Sequence, residues 1–134
     1  MAAPLKKKNR NRTPPFEAYP EWSTARFYGF LRSSLRSASS RWPPKFQCLN
    51  AATRPYIGPD KRRKKERQCA ICKGWFPTTQ TAADHIVPCG QLSSWEDVVP
   101  FVQKLFVGPD GFQCLCTECH LQKTLKERDE RKDN

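Results

Sequence analysis

Two Cys-x-x-Cys pairs, Cys69–Cys72 and Cys116–Cys119, constrain this 134-residue chain more than any other feature. Tetrahedral metal coordination takes four soft ligands, and a two-residue spacer lets both sulfurs of a hook face one ion. The interval from Cys72 to Cys116 is too long for an isolated knuckle and suits a hairpin plus a helix. A structural zinc held by all four thiolates would therefore clip the ends of one small module together. Both histidines of the chain belong to that module: His85 in the run Asp84-His85-Ile86-Val87-Pro88, and His120 directly after Cys119.

The chain has room for one small domain and an extension, and only 37% of its residues are hydrophobic. Burial alone would leave such a fold marginal, so a metal staple is a sensible supplement. Seven cysteines is an odd count, the basic N-terminus lacks an apolar run, and no stretch is long enough to span a membrane. The expectation is a cytoplasmic, reducing compartment in which thiols are available for metal rather than disulfides.

Charge is divided unevenly. Residues 1–67 carry 17 Lys/Arg against 4 Asp/Glu, net +13, whereas residues 68–134 carry 7 against 9, net −2. If the partner is a polyanion, the N-terminal half must supply most of its phosphate anchoring.

Three segments follow: a flexible basic arm over 1–21, a helical extension over 22–58, and a cysteine-bracketed module over 59–134. The arm holds Lys6, Lys7 and Lys8, readable equally as a nucleic-acid tail or a solubilising terminus. From Ser23 to Ser39, Phe27, Phe30, Leu31, Leu35 and Ala38 recur at helical spacing, with Arg32 and Arg36 among them. Ser23 or Thr24 can cap that helix and Trp42-Pro43-Pro44 can end it. A second short helix is expected over Lys45–Arg54, burying Phe46 and Leu49. The run Lys61-Arg62-Arg63-Lys64-Lys65-Glu66-Arg67 leads into Cys69 as a solvated face, a phosphate-binding stretch or the start of an exposed helix. A strand should end near Asp84-His85-Ile86. A helix over Trp95–Phe106 should turn Val98, Val99, Phe101, Val102 and Leu105 inward, with Pro100 in its interior kinking it or confining it to the second half. A strand over Phe112–Leu115 and a helix from about Thr117 should complete an α+β fold.

The residue types suit phosphodiester hydrolysis. That reaction needs a nucleophilic water and a Lewis acid on the scissile phosphate. Imidazole titrates near neutrality, which fits His85 as general base. Asp84 and His120 offer a carboxylate and an imidazole to a divalent ion such as Mg²⁺ or Mn²⁺. Lys123 shares a helix face with His120 and is either a phosphate contact or a solvated lysine. Taken singly these signals are weak: an isolated Asp-His dipeptide is more often structural or incidental, and His120 alone reads as a fifth zinc-ligand candidate or an ordinary helix residue. Their order along the chain is what gives them weight.

Cys69-x-x-Cys72, Asp84-His85-Ile86-x-Pro88 and Gln113-x-Leu115-Cys116-x-x-Cys119-His120-x-x-Lys123-Thr124 together resemble the zinc-stapled HNH endonucleases common in bacteriophages. The stretch from Phe30 to Pro44 is similar to the helical region that precedes the nuclease motif in phage members. The resemblance covers about residues 22–126 and implies a ββα-metal module with a structural four-cysteine zinc site behind a helical basic N-terminal extension. It implies His85 as general base, Asp84 and His120 as ligands of a catalytic divalent ion, and double-stranded DNA as substrate, nicked or cleaved in an infected bacterial host. It is compatible with homing or with a protein partner in phage packaging. Lys6, Lys7, Lys8, Arg32, Arg36, Lys61, Arg62, Arg63, Lys64, Lys65, Arg67 and Lys123 are the candidate phosphate contacts. A non-catalytic zinc-stabilised binding or assembly protein derived from such a nuclease is the alternative. One position departs from the pattern: the family's asparagine, two residues before Gln113, is Gly111 here, with Asp110 beside it.

Overall fold

The structure is a computed structural model that describes residues 13–132. Its elements are β1 (Pro15–Phe16), β2 (Tyr19–Ser23), α1 (Thr24–Ser39), α2 (Pro43–Ala51), β3 (Thr53–Pro55), β4 (Lys65–Gln68), β5 (Trp75–Pro77), β6 (Thr81–His85), α3 (Trp95–Leu105), β7 (Phe112–Cys116) and α4 (Thr117–Lys132). The expected mixture of helices and small sheets is therefore present. The residues group into two compact units, one running to Ser39 and resuming over Cys89–Leu105, the other comprising Ser40–Pro88 and the chain from Phe106. Among the described residues no helix is long and apolar enough to cross a membrane.

In the first unit β1 and β2 form a hairpin against α1. Residues 13–21, expected to belong to a flexible arm, are instead engaged. The Phe16 ring stacks on Phe27 at 3.8 Å, and Trp95 approaches Phe16, Phe27 and Tyr28 at 5.6–6.2 Å between centroids. Such offset and edge contacts favour aromatic rings over aliphatic ones. Ser23 Oγ accepts the Arg26 N–H at 3.1 Å and caps α1 as anticipated. The predicted buried stripe of α1 is altered, because Tyr28 is buried while Phe30 is 55% exposed and packs edge-on to Trp22. The hairpin covers a face of α1 that helical spacing alone assigned to solvent. In α3, Phe101 and Leu105 are fully buried and Val99 is 62% exposed, so the inward face is narrower than expected. Pro100 stands inside an unbroken helix.

In the second unit Pro43 and Pro44 begin α2 rather than ending α1. A proline at the first helical position loses no hydrogen bond, since that N–H has no intrahelical partner. The Trp42 indole N–H donates to the Val107 carbonyl at 2.6 Å and its ring lies edge-on to Phe106. Leu49 is buried, but Phe46 is 46% exposed, contrary to expectation, and α2 stops at Ala51, two residues before β3 begins at Thr53. The basic run is no helix. It turns and enters β4, the middle strand of an antiparallel β3–β4–β5 sheet. β6 and β7 form a separate antiparallel pair that places Asp84 opposite Gln113 and His85 opposite Phe112, and α4 follows β7 at once.

The loop entering β7 accounts for glycine at position 111. A Cβ there would lie 2.3 Å from Val107 Cγ2 and 2.5 Å from Val107 Cβ, well inside van der Waals contact. The main chain of Gly111 ties the turn instead: its carbonyl accepts the Ile86 N–H at 3.0 Å and its N–H donates to the Gly108 carbonyl at 3.0 Å. Asp110 is exposed. Gly111→Ala should therefore cost about 1–3 kcal/mol through overpacking. That corresponds to roughly 4–8 °C of melting temperature per kcal/mol in a small domain, and thermal denaturation showing an unchanged midpoint would contradict the steric reason for this glycine.

Candidate metal centre and adjoining polar cluster

The two hooks meet. The Sγ atoms of Cys69, Cys72, Cys116 and Cys119 all lie within 4.8 Å of one another, and Cys72 Sγ stands 4.0 Å from Cys116 Sγ. With Zn–S bonds of about 2.3 Å, the sulfurs of a tetrahedral site lie roughly 3.8 Å apart. The four thiols could thus hold an ion such as zinc after a small contraction.

Local backbone geometry builds each hook. After Cys72, Lys73 takes a positive φ of 64°, reversing the chain so that its N–H donates to the Cys69 carbonyl and the Cys69 N–H to the Gly74 carbonyl. The second hook begins on the last residue of β7 and continues into α4, where Cys116 Sγ accepts the Cys119 N–H at 3.4 Å. That sulfur takes the place of a capping side chain, where the N-terminal end of a helix favours negative charge. The hooks are also joined through the main chain, with the Ala70 N–H on the Cys114 carbonyl at 2.8 Å.

The thiols do not ionise alike. Burial pushes Cys69 up, but backbone N–H groups of Cys116, Cys72 and Ile71 outweigh this and bring it down to about 6. The neighbouring Cys116 thiol and then burial push Cys119 up to about 12, and Cys72 is also raised. These opposite directions describe one cluster in which the first thiolate forms at Cys69 and resists its neighbours. A divalent cation bound by all four would relieve that conflict, offsetting two of the four negative charges while it bridges the sulfurs.

Beside the clip a polar cluster joins β6, β7 and α4. His120 Nε2 lies 3.5 Å from Asp84 Oδ1, and Lys123 Nζ lies 2.8 Å from Asp84 Oδ2. Lys123 also donates to the His85 carbonyl at 2.9 Å and to Glu127, while the Gln113 amide reaches Asp84 Oδ2 at 3.4 Å. The His85 ring packs against Phe112, centroids 4.6 Å apart, which restricts its rotation. Burial lowers the Lys123 pKa, but hydrogen bonds and attraction from Asp84 and Glu127 prevail and raise it. The resulting stabilisation is full below the ordinary lysine value and is lost as pH rises through the higher folded one.

The other candidates separate into groups. Lys123 is engaged with Asp84 rather than open to a phosphate. Arg67 is an internal strut, donating to Thr53 Oγ1, the Thr78 carbonyl and Thr81 Oγ1 at 3.3–3.4 Å. Arg63 pairs with the buried Glu66 at 3.1 Å, and Arg54 pairs with the same acid at 2.7 Å. Lys61, Arg62, Lys64 and Lys65 are exposed, and the last three line a groove with Thr78 and Thr79. Arg32 and Arg36 hold their guanidinium groups 5.5 and 5.9 Å from the Phe101 ring centroid. Lys6, Lys7 and Lys8 lie outside the described residues. Glu127 was not anticipated, although its spacing of seven from His120 and four from Lys123 puts all three on one helix face.

The chain matches no protein-family model, no curated protein and no solved structure with which it was compared.

Cys69, Leu115 and Cys116 form a buried cluster with Phe76 and Cys119, so an ion held by the thiols would be part of the core. Purified protein should contain one zinc per chain. Chelation under reducing conditions, or Cys72→Ser, should lower the melting temperature by at least about 10 °C, given the several kcal/mol that structural zinc contributes to small folds. An unchanged melt after complete zinc removal would show that the thiols cluster without a structural ion.

Proposed function

We propose that the chain is a metal-dependent endonuclease of the HNH type that nicks or cleaves double-stranded DNA. The observation that carries this reading is the approach of Asp84 and His120 to 3.5 Å from separate elements, next to a sulfur cluster that fixes both ends of the intervening chain. Two ligands bound to one ion at about 2.1 Å stand roughly 3.0–3.4 Å apart, so the pair fits a shared divalent cation with little movement. The succession of an antiparallel pair and a helix, with His85 beside Asp84 on β6, agrees with a ββα-metal module.

When bound, a divalent ion supplies Lewis acidity to a phosphodiester. Asp84 brings a formal negative charge and His120 a neutral nitrogen to that position. Gln113 donates to the Asp84 carboxylate and so fixes its orientation. His85, confined by Phe112, accepts the proton of the attacking water. The exposed residues Lys61, Arg62, Lys64 and Lys65 hold the DNA backbone.

A supercoiled-plasmid nicking assay with Mg²⁺ or Mn²⁺ tests the activity. His85→Ala and Asp84→Ala, with zinc retained, should each reduce the nicking rate by about 10²-fold or more. Equal activity in wild type and both variants would sink the enzymatic reading, and DNA binding without nicking in all three would favour a non-catalytic binding protein.

The charge division gives a separate expectation. Replacing Lys61, Arg62, Lys64 and Lys65 by Gln should weaken duplex binding and flatten the plot of log affinity against log salt. Each lost phosphate contact removes about 0.9 from the slope. Titrations that return the wild-type slope would place the DNA on another surface.

A further inference from the structure

The Asp84–His120 pair does not stand open: a lysine ammonium already sits on the carboxylate. Lys123 Nζ contacts Asp84 Oδ2 at 2.8 Å and the His85 carbonyl at 2.9 Å, and it also contacts Glu127. Three oxygens thus surround one positive charge beside the proposed cation position. The side chain is only 19% exposed, so it is held in place rather than waving over the site.

We propose, building on the nuclease reading, that Lys123 is the resident counter-cation of this site and that a divalent ion enters by taking Asp84 from it, with Glu127 receiving the released ammonium. Glu127 is four residues beyond Lys123 on α4 and already bonded to it, so the transfer needs a side-chain rotation and no backbone movement. No covalent bond changes and no proton need move. Without metal, the ammonium keeps Asp84 from standing as an unpaired, 14%-exposed carboxylate. With metal, two positive charges competing for one carboxylate would repel, and Glu127 offers the ammonium a second partner. Lys123 and Glu127 thereby set the cation concentration at which the site fills, a role that sequence spacing does not disclose.

The test is Mn²⁺ affinity measured by electron paramagnetic resonance on zinc-loaded, full-length protein without DNA. Lys123→Met, which keeps length and removes charge, should tighten Mn²⁺ binding by at least about tenfold, equivalent to ~1.4 kcal/mol. Lys123→Arg should stay near wild type. Glu127→Gln should weaken binding in the wild-type background and have no further effect beside Lys123→Met, because its influence passes through the lysine. Zinc content and thermal melts establish that each variant is folded, and the Glu127→Gln and Lys123→Arg arms remain informative if Lys123→Met is not.

Asp84→Asn separates the two levels of the proposal. If Asp84→Asn abolishes Mn²⁺ binding but Lys123→Met leaves affinity unchanged or weaker, the counter-cation role is overturned and the metal site stands. An equal effect of Glu127→Gln in both backgrounds overturns the transfer to Glu127. If Asp84→Asn binds Mn²⁺ as wild type does, the divalent site itself is wrong and the nuclease reading falls with it.

Discussion

Four sulfurs converging from two hooks are placed where a single ion could hold the second unit together. Few side chains there are fully buried, and Cys69 and Leu115 are two of them. A core this small cannot by itself fix the end of β7 and the start of α4 against the chain entering β5. An ion held by the four thiols could, because metal–sulfur bonds are strong, directional and short. The electrostatics of the thiols point the same way: Cys69 is lowered while Cys72 and Cys119 are raised, an opposition that a bound cation would relieve.

The polar cluster inherits its geometry from that clip. Cys119 is a ligand candidate and His120 follows it, so the imidazole starts from a pinned backbone. Asp84 arrives from β6, whose register against β7 sets it opposite Gln113. The glycine at position 111 makes that approach possible, since its carbonyl holds the Ile86 N–H while Val107 fills the space a side chain would need. At the position where the resembling family has asparagine, this chain ties the loop through the main chain of Gly111.

The sequence made the hooks legible because metal ligation depends on spacing, which survives without knowledge of the fold. The strand through Asp84-His85, the strand of residues 112–116 and the helix carrying His120 were legible for the same reason, being anchored by those hooks. Burial was harder to read. Phe30, expected to face inward, is exposed, and Tyr28, outside the expected stripe, is buried where a hairpin from residues 15–23 packs on α1; no local pattern reveals which face a distant segment will cover. Charge was read too generously: Arg63 and Arg67 look like free cations in sequence, yet Glu66, Thr53, Thr78 and Thr81 occupy them. Lys123 was visible as a neighbour of His120 on one helix face, but its link to Asp84 is a contact between residues 39 apart and belongs to the fold.

With only two histidines in the chain, imidazole ring signals in nuclear magnetic resonance report on the proposed cation position directly. Substoichiometric Mn²⁺ added to the zinc-loaded protein should broaden the His120 ring resonances first, and the same addition to Asp84→Asn should not. His120 signals that persist in wild-type protein up to one equivalent of Mn²⁺ would contradict a cation shared by Asp84 and His120.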